Sequence, residues 1–269
     1  MDSTFDRDTA IRRLRDDRFA AEIAEGWQAG RGPHGGYIAA ILLRALTETV
    51  AEELRAPRSL TVHYASSPVP GAVEIHTTVE RQGRSLSTLS ATMEQDGRLV
   101  ALALSAFSVP WTAPEVNDLP MPDVAQADPQ RSSSPGLFEG APPFTRQLVL
   151  QPRMGAVPFK ATRKLMEVGG WTGLVDPRPL DTLSLALFSD AWFPPSFIAL
   201  SEPAKAPTID LTVHFREPSR ISHDPEELCL AVFRTRLLRE GFFEEDGVIW
   251  ANDGTVLAQS RQMGIVLPI

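Results

Sequence analysis

Two stretches of the chain are apolar around most of a helix's circumference, and each is followed by a train of alternating segments. "GYIAAILLRALTETVAEEL", residues 36–54, follows Pro33 and the pair Gly35–Gly36. "LDTLSLALFSDAW", residues 180–192, follows Pro179 and stops before Pro194 and Pro195. Proline just ahead of a helix and again past its end is the favoured punctuation. With no polar face to offer water, both helices are expected to be buried. A short strand-like run precedes each, "VGGWTGLVD" being the clearer.

After the first helix the polarity alternates through "LTVHY", "AVEIHTTVERQG", "SLSTLSATMEQDG" and "RLVALALSAFSVP". After the second it alternates through "LTVHF", "LCLAVFRTRLLREG", "FFEEDGVIWANDG" and "TVLAQSRQMGIVLP". A period of two predicts strands with one buried face. The near-identical pentapeptides at 60–64 and 211–215 lie 151 positions apart, and "DGRLVA" from Asp96 returns as "DGTVLA" from Asp253, an offset of 157. The six extra residues fall most simply in the loop "SRISHDPEE". Both Asp-Gly pairs read as tight hairpin turns. Each half therefore reads as strand, buried helix and four antiparallel strands. A single helix wrapped by a curved antiparallel sheet is the hotdog arrangement, so the predicted fold class is α+β, a double hotdog.

Between the copies, residues 110–143 hold eight of the chain's 23 prolines with "RSSSPG" in their midst. That composition neither packs a core nor pairs in a sheet and reads as a linker. The predicted organisation is a first repeat over residues 1–110, a linker over 111–145, and a second repeat over 146–269 that carries the chemistry.

Composition narrows the function. With 43% hydrophobic and 22% charged residues, the 269-residue chain has a globular profile. A formal charge of −8 argues against a nucleic-acid surface. Cys229 is the sole cysteine, so neither an internal disulfide nor a thiolate cluster is available. The apolar run "YIAAILL" is too short to span a bilayer, and the mixed charges of the N-terminus do not make a secretory signal. A cytoplasmic location without membrane insertion is the expectation. Neither His-x-x-x-His nor Glu-x-x-His occurs, so no metal is expected. Nor does G-x-S-x-G, the serine-esterase elbow. His63 and His214 hold equivalent repeat positions and are expected to pack. "RQGRS" at 81–85 reads as a solvated hairpin tip.

Several motifs in order resemble the bacterial acyl-CoA thioesterase II family, whose members are two fused hotdogs. They are "HGGYIAAILLRAL", the run "VHYASSPVPGAVEIHTTVERQGRSLSTLSATMEQDGRLV", "LFSDAWFPPS", "APTIDLTVHFREP" and "VLAQSRQMGIV". Matched residue by residue, the resemblance implies a catalytic acid at Asp190, a threonine at Thr208 and a glutamine at Gln262, together activating a water that attacks the thioester. It implies an acyl-CoA substrate and no cofactor. Met263 departs from the family, where an acidic residue often follows the glutamine, and "DAWFPP" is richer in proline.

The residues suit that chemistry. Asp190 lies three, four and seven positions beyond Leu187, Ala186 and Leu183, which in a helix would set it on an apolar face. A carboxylate there needs partners, although Asp190 could instead merely terminate the helix. The 151 offset sets Pro57 opposite Thr208 and the 157 offset sets Ser105 opposite Gln262, while residues 37–47 contain no acid. One complete reactive set per chain is expected. Free N–H groups where "PHGGY" opens the first helix attract negative charge, so Gly35, Gly36 and Tyr37 are candidate substrate contacts, with the N–H groups of Gly36 and Tyr37 as oxyanion donors. Gly35 and Gly36 serve equally for tight packing. His34 borders the same helix start and is a further candidate contact. Trp171, Trp192, Phe193 and Phe197 are open between pocket and core. The alternatives to a thioesterase are an enoyl-CoA hydratase, which lacks its usual histidine five residues past the Asp, and a non-catalytic acyl-CoA or fatty-acid binding protein. Homo-oligomerisation is compatible with either half's sheet.

Overall fold

The computed structural model describes residues 3–50, 52, 54–130, 141–162, 165–218 and 224–268. A single-turn helix α1 (Thr4–Asp8) leads into the hairpin β1 (Ile11–Arg15) and β2 (Arg18–Ile23). Helix α2 (Gly35–Val50) follows, then β3 (Ala56–Tyr64), β4 (Gly71–Gln82), β5 (Leu86–Gln95) and β6 (Arg98–Ser108). The second half repeats the order with β7 (Leu148–Met154), β8 (Glu167–Leu174) and α3 (Thr182–Phe188). After the two-residue β9 (Ala204–Lys205) come β10 (Thr208–Phe215), β11 (Cys229–Arg234), β12 (Leu238–Arg239), β13 (Phe242–Trp250), β14 (Val256–Ile265) and β15 (Leu267–Pro268).

One continuous antiparallel sheet runs through both halves in the order β1-β2-β4-β5-β6-β3-β10-β14-β13-β11-β8-β7. Read outward from the β3–β10 seam, the two sides have the same succession of elements. The repeated pentapeptide is that seam. Leu60 pairs with Val213, Thr61 with Thr212 and Val62 with Leu211, so the motif meets its own copy antiparallel about the threonines. Their hydroxyls lie 3.0 Å apart. Leu60, Val62, Leu211 and Val213 point inward and are buried. His63 and His214 fall on the opposite parity and are exposed, which corrects the packing role expected of them.

Helix α2 is buried from Gly36 through Leu43 and at Ala45 and Leu46, and its last turn is exposed at Thr47 and Glu48. Ile38, Ile41, Leu42, Leu43 and Leu46 are each at most 2% exposed, and their burial contributes on the order of 10 kcal/mol before entropy is charged. Each half is thus a buried helix wrapped by antiparallel strands, the hotdog arrangement expected. No helix among the described residues is long and apolar enough to cross a membrane.

Three features differ from expectation. Each helix is preceded by a hairpin and not by one strand. β1, "IRRLR", was illegible because it is an edge strand with no buried face. α3 ends at Phe188, with Ser189 as C-cap, and the chain tightens there into an Ala191-to-Phe188 turn. Asp190 therefore stands beyond the helix end. The proline-rich segment packs after all: Met121, Val124 and Ala127 lie against Trp171, Leu230 and Trp250 on the outer face of the second half. An extended chain buries side chains without pairing, and its carbonyls accept from the indole N–H groups of Trp171 (to Ala125, 2.9 Å) and Trp250 (to Leu119, 3.1 Å). "RSSSPG" and residues 219–223 of the "SRISHDPEE" loop lie outside the described residues.

Candidate active site

The start of α2 and the end of α3 meet closely enough that the first helix position to touch the other must be glycine. A Cβ on Gly36 would stand 2.5 Å from the Leu187 carbonyl oxygen and 3.0 Å from that of Ala186. One on Gly35 would stand 2.8 Å from Asp190 Oδ2 and 3.2 Å from the Tyr64 hydroxyl. The two glycines thus admit the turn that carries Asp190. Its Oδ2 accepts a hydrogen bond from the Gly36 N–H at 3.0 Å. The carboxylate of the second half thereby caps the helix of the first, where the free N–H groups of a helix start favour negative charge. Its side chain is 13% exposed, and no described residue bonds its Oδ1.

His34 binds the arrangement from both sides. Its Nδ1 accepts from the Tyr37 N–H at 3.2 Å, which leaves the ring proton on Nε2, donated to the Asp190 carbonyl oxygen at 2.6 Å. An amide can only donate, so the ring is the neutral tautomer and its 3.5 Å approach to Asp190 Oδ2 is not an ion pair. At 2% exposure, with both nitrogens engaged, His34 ties the Asp190 turn to the start of α2. The N–H groups of Gly36 and Tyr37, the expected oxyanion donors, bond Asp190 and His34 in this arrangement. The Tyr37 ring points away, stacked on Trp27 at 5.1 Å with its hydroxyl donating to the Asp8 carbonyl.

Thr208 opens β10 just ahead of an irregularity in its pairing with β14, and its hydroxyl donates to Gln262 Oε1 at 2.8 Å. Gln262 Nε2 in turn donates to Glu245 Oε1 at 2.7 Å. Gln262 is 4% exposed and Glu245 2%. Burial, above all, pushes the Glu245 carboxyl well above the usual range, with the charges of Asp190, Glu244 and Asp246 adding to it against the Gln262 hydrogen bond. Asp190 is thus within electrostatic reach of the Glu245–Gln262–Thr208 chain, though no direct hydrogen bond joins it to Thr208 or Gln262. Tyr64 completes the cluster by donating to the Gly35 carbonyl at 2.8 Å. Burial raises its hydroxyl well above its ordinary value, and the charges of Asp190 and Asp210 raise it further.

Glu245 and Tyr64 escaped the sequence reading. Tyr64 had a signal, since it is the one position where "LTVHY" and "LTVHF" differ, and the difference is the hydroxyl that bonds Gly35. Met263 is 39% exposed on the outward parity of β14, so that departure does not bear on the buried cluster. Trp171 and Trp192 are buried, the latter donating to Thr172 Oγ1 at 2.9 Å. Phe197 is buried against Phe159, and Phe193 packs on the main core.

Register confirms the inferred correspondence of the halves. Leu60 pairs with Ser105 where Leu211 pairs with Gln262, and Pro57 pairs with Phe107 where Thr208 pairs with Gly264. Ser105 and Pro57 thus hold the first-half positions that Gln262 and Thr208 hold in the second.

The chain matches the family model for an acyl-CoA thioesterase N-terminal domain over residues 23–108 and that for an acyl-CoA thioesterase C-terminal domain over residues 118–266. It is 23% identical to an uncharacterized protein of Mycobacterium tuberculosis, with 99% of each chain covered. Among solved structures it is similar to a conserved protein of unknown function with a hot dog fold from Alicyclobacillus acidocaldarius, at 26% identity, full coverage of both chains and a TM-score of 0.85. An acyl-CoA thioesterase II from Mycobacterium marinum shares the fold at 16% identity, 99% coverage of each chain and a TM-score of 0.74. The first match takes in α2 and β3–β6, the second alone covers more than half of the chain, and the chain therefore belongs to the acyl-CoA thioesterase family of thioester hydrolases.

Proposed function

We propose that this chain hydrolyses the thioester of a fatty or related acyl-CoA to the free acid and CoA, with Asp190 as the base that activates water. The observation that carries the reading is the carboxylate held at the start of α2 by the Gly36 N–H, with its Oδ1 left unbonded by any described residue. A water between Asp190 and Thr208 loses a proton to Oδ1 as its oxygen adds to the thioester carbon. Thr208 spends its own proton on Gln262, so its oxygen is an acceptor for the second hydrogen of that water. The tetrahedral adduct collapses with cleavage of the carbon–sulfur bond, and the proton on Asp190 returns to the departing thiolate. Oxyanion stabilisation falls to the Gly35 N–H, the remaining first-turn donor, for which no acceptor occurs among the described residues. Acyl-CoA is substrate in this scheme, and no cofactor takes part.

The test is thiol release from acyl-CoAs of several chain lengths by the purified chain and by Asp190→Asn. A positioned base contributes about 10²- to 10⁴-fold, so the variant should fall by at least about tenfold while keeping its fold, since the amide oxygen still accepts from Gly36. Saturable acyl-CoA binding without thiol release by the parent would replace the hydrolase reading with that of a carrier.

A further inference from the structure

Glu245 sits directly across from Gln262 in the β13–β14 pair, inside the sheet and beyond the reach of solvent. A carboxyl in such a place costs several kcal/mol unless it is fully hydrogen-bonded. Yet Glu245 Oε2 has no partner, and it is the one carboxyl oxygen in that position among the buried side-chain atoms of the described residues. Packing does not require the carboxyl. The first half supplies the comparison: the inward row Leu211–Gln262–Glu245 corresponds, pair by pair, to Leu60–Ser105–Leu89. Leu89 is 1% exposed and fills the equivalent position with a side chain that has no polar atoms. The second half carries an acid where the same scaffold accepts a leucine.

What the acid does follows from the hydrogen bonds it anchors. The two ends of a glutamine carboxamide are nearly the same size, so rotating it by half a turn exchanges donor and acceptor at little steric cost. In this site the two ends have different partners, with Nε2 giving a proton to Glu245 and Oε1 taking one from Thr208. We propose that Glu245 is a positioning residue of the hydrolytic site: by accepting from Gln262 it fixes the carboxamide oxygen toward Thr208 and so keeps the Thr208 oxygen an acceptor for the attacking water. The inference rests on the hydrolase reading above. With Glu245 absent, Gln262 is free to turn over. Thr208 then accepts from Nε2 and directs its proton at the water, which competes with the contact that orients the lone pair for attack. The charges that act on Glu245 to raise it come from Asp190 in the turn after α3 and from Glu244 and Asp246 on its own strand, the last of these paired with Arg261 on β14. Burial favours the neutral form of Glu245, which holds the carboxamide without adding a further charge beside the base.

The experiment compares the full chain with Glu245→Leu, the residue of the first half, and with Glu245→Gln, whose amide oxygen still accepts from Gln262. Acyl-CoA hydrolysis and thermal melting are followed for each. Glu245→Leu is expected to lose about tenfold or more in kcat with KM held within about twofold, the size of one positioned hydrogen bond made in the transition state. Its melting temperature should equal or exceed the parent's, which a merely structural acid would not allow. Glu245→Gln should hydrolyse within about threefold of the parent. An active parent matched by Glu245→Leu overturns this inference and leaves the hydrolase reading standing. So does a folded Glu245→Gln that is slowed by tenfold, and this arm serves even where the leucine variant fails to fold. A parent that releases no thiol overturns the hydrolase reading and this inference with it.

Discussion

A methyl group at Gly36 would meet backbone atoms at 2.5 and 3.0 Å, inside the 3.4–4 Å of ordinary contact. The obstructing atoms are the carbonyl oxygens of Leu187 and Ala186, which belong to α3 and cannot swing aside as a side chain does. Gly36→Ala must therefore part the two helices or bend them. Overpacking of this kind costs about 1–3 kcal/mol. Parting the helices also weakens the hydrogen bond from Gly36 to a charged carboxylate, worth about 1.5–3 kcal/mol. Alanine returns about 1 kcal/mol through its better helix propensity. The net loss is roughly 2–5 kcal/mol, which in a chain of this size lowers the melting temperature by about 5–15 °C. Gly35→Ala is the matched comparison. Its Cβ meets the ends of two side chains, Asp190 and Tyr64, which yield more easily. It should lose less than half as much stability while displacing the carboxylate and slowing thioester hydrolysis. Melting followed by circular dichroism at pH 7, with thiol release measured in parallel, reads both. A Gly36→Ala protein that melts within about 1 °C of the parent would refute the steric reasoning.

The cluster yields further expectations. Tyr64→Phe, which restores the residue of the second copy, removes the hydrogen bond to the Gly35 carbonyl and should lower kcat several-fold with little change in melting; an unchanged rate would take Tyr64 out of the site. Glu245 gives stability a pH dependence of known sign. Its folded value lies above its unfolded one, so this contribution is whole below the ordinary glutamate range of about 4.3 and is lost as pH rises through the raised value. The parent's melting temperature should drop more between pH 5 and pH 8 than that of Glu245→Gln, and parallel curves would contradict the assignment. On the outer face, Trp250→Phe deletes the donor to the Leu119 carbonyl and should cost about 0.5–1.5 kcal/mol. Limited proteolysis within residues 109–130 should accelerate in that variant.

The tandem architecture was legible because it is written locally, in helices apolar all round, alternating strands and two copies of one pentapeptide. The seam was implicit in that pentapeptide, since a motif that meets its own copy antiparallel needs the same inward row on both sides. The cap on α2 was not legible. Gly36 and Asp190 are 154 positions apart, and nothing in either neighbourhood names the other. For the same reason the N–H groups near "PHGGY" read as open donors until the structure filled two of them. Glu245 was hidden in the acidic run "FFEEDG", which resembles a solvated hairpin. Only its parity with Phe243 and Ile249 betrays that it faces inward, and a period-two reading of a charged strand end is easily overridden by its composition. The proline-rich strap was misjudged because composition speaks to hydrogen-bond donors, of which proline has none, and not to the carbonyls that two indoles use.

The central claim is that water held by Asp190 attacks the thioester. A single turnover of acyl-CoA by excess enzyme in oxygen-18 water, read by mass spectrometry of both the released acid and the peptide containing Asp190, tests it most directly. The account predicts heavy oxygen in the acid and none in Asp190. Heavy oxygen in the Asp190 carboxylate, with an unlabelled acid, would mean that the carboxylate itself attacks, and would contradict it.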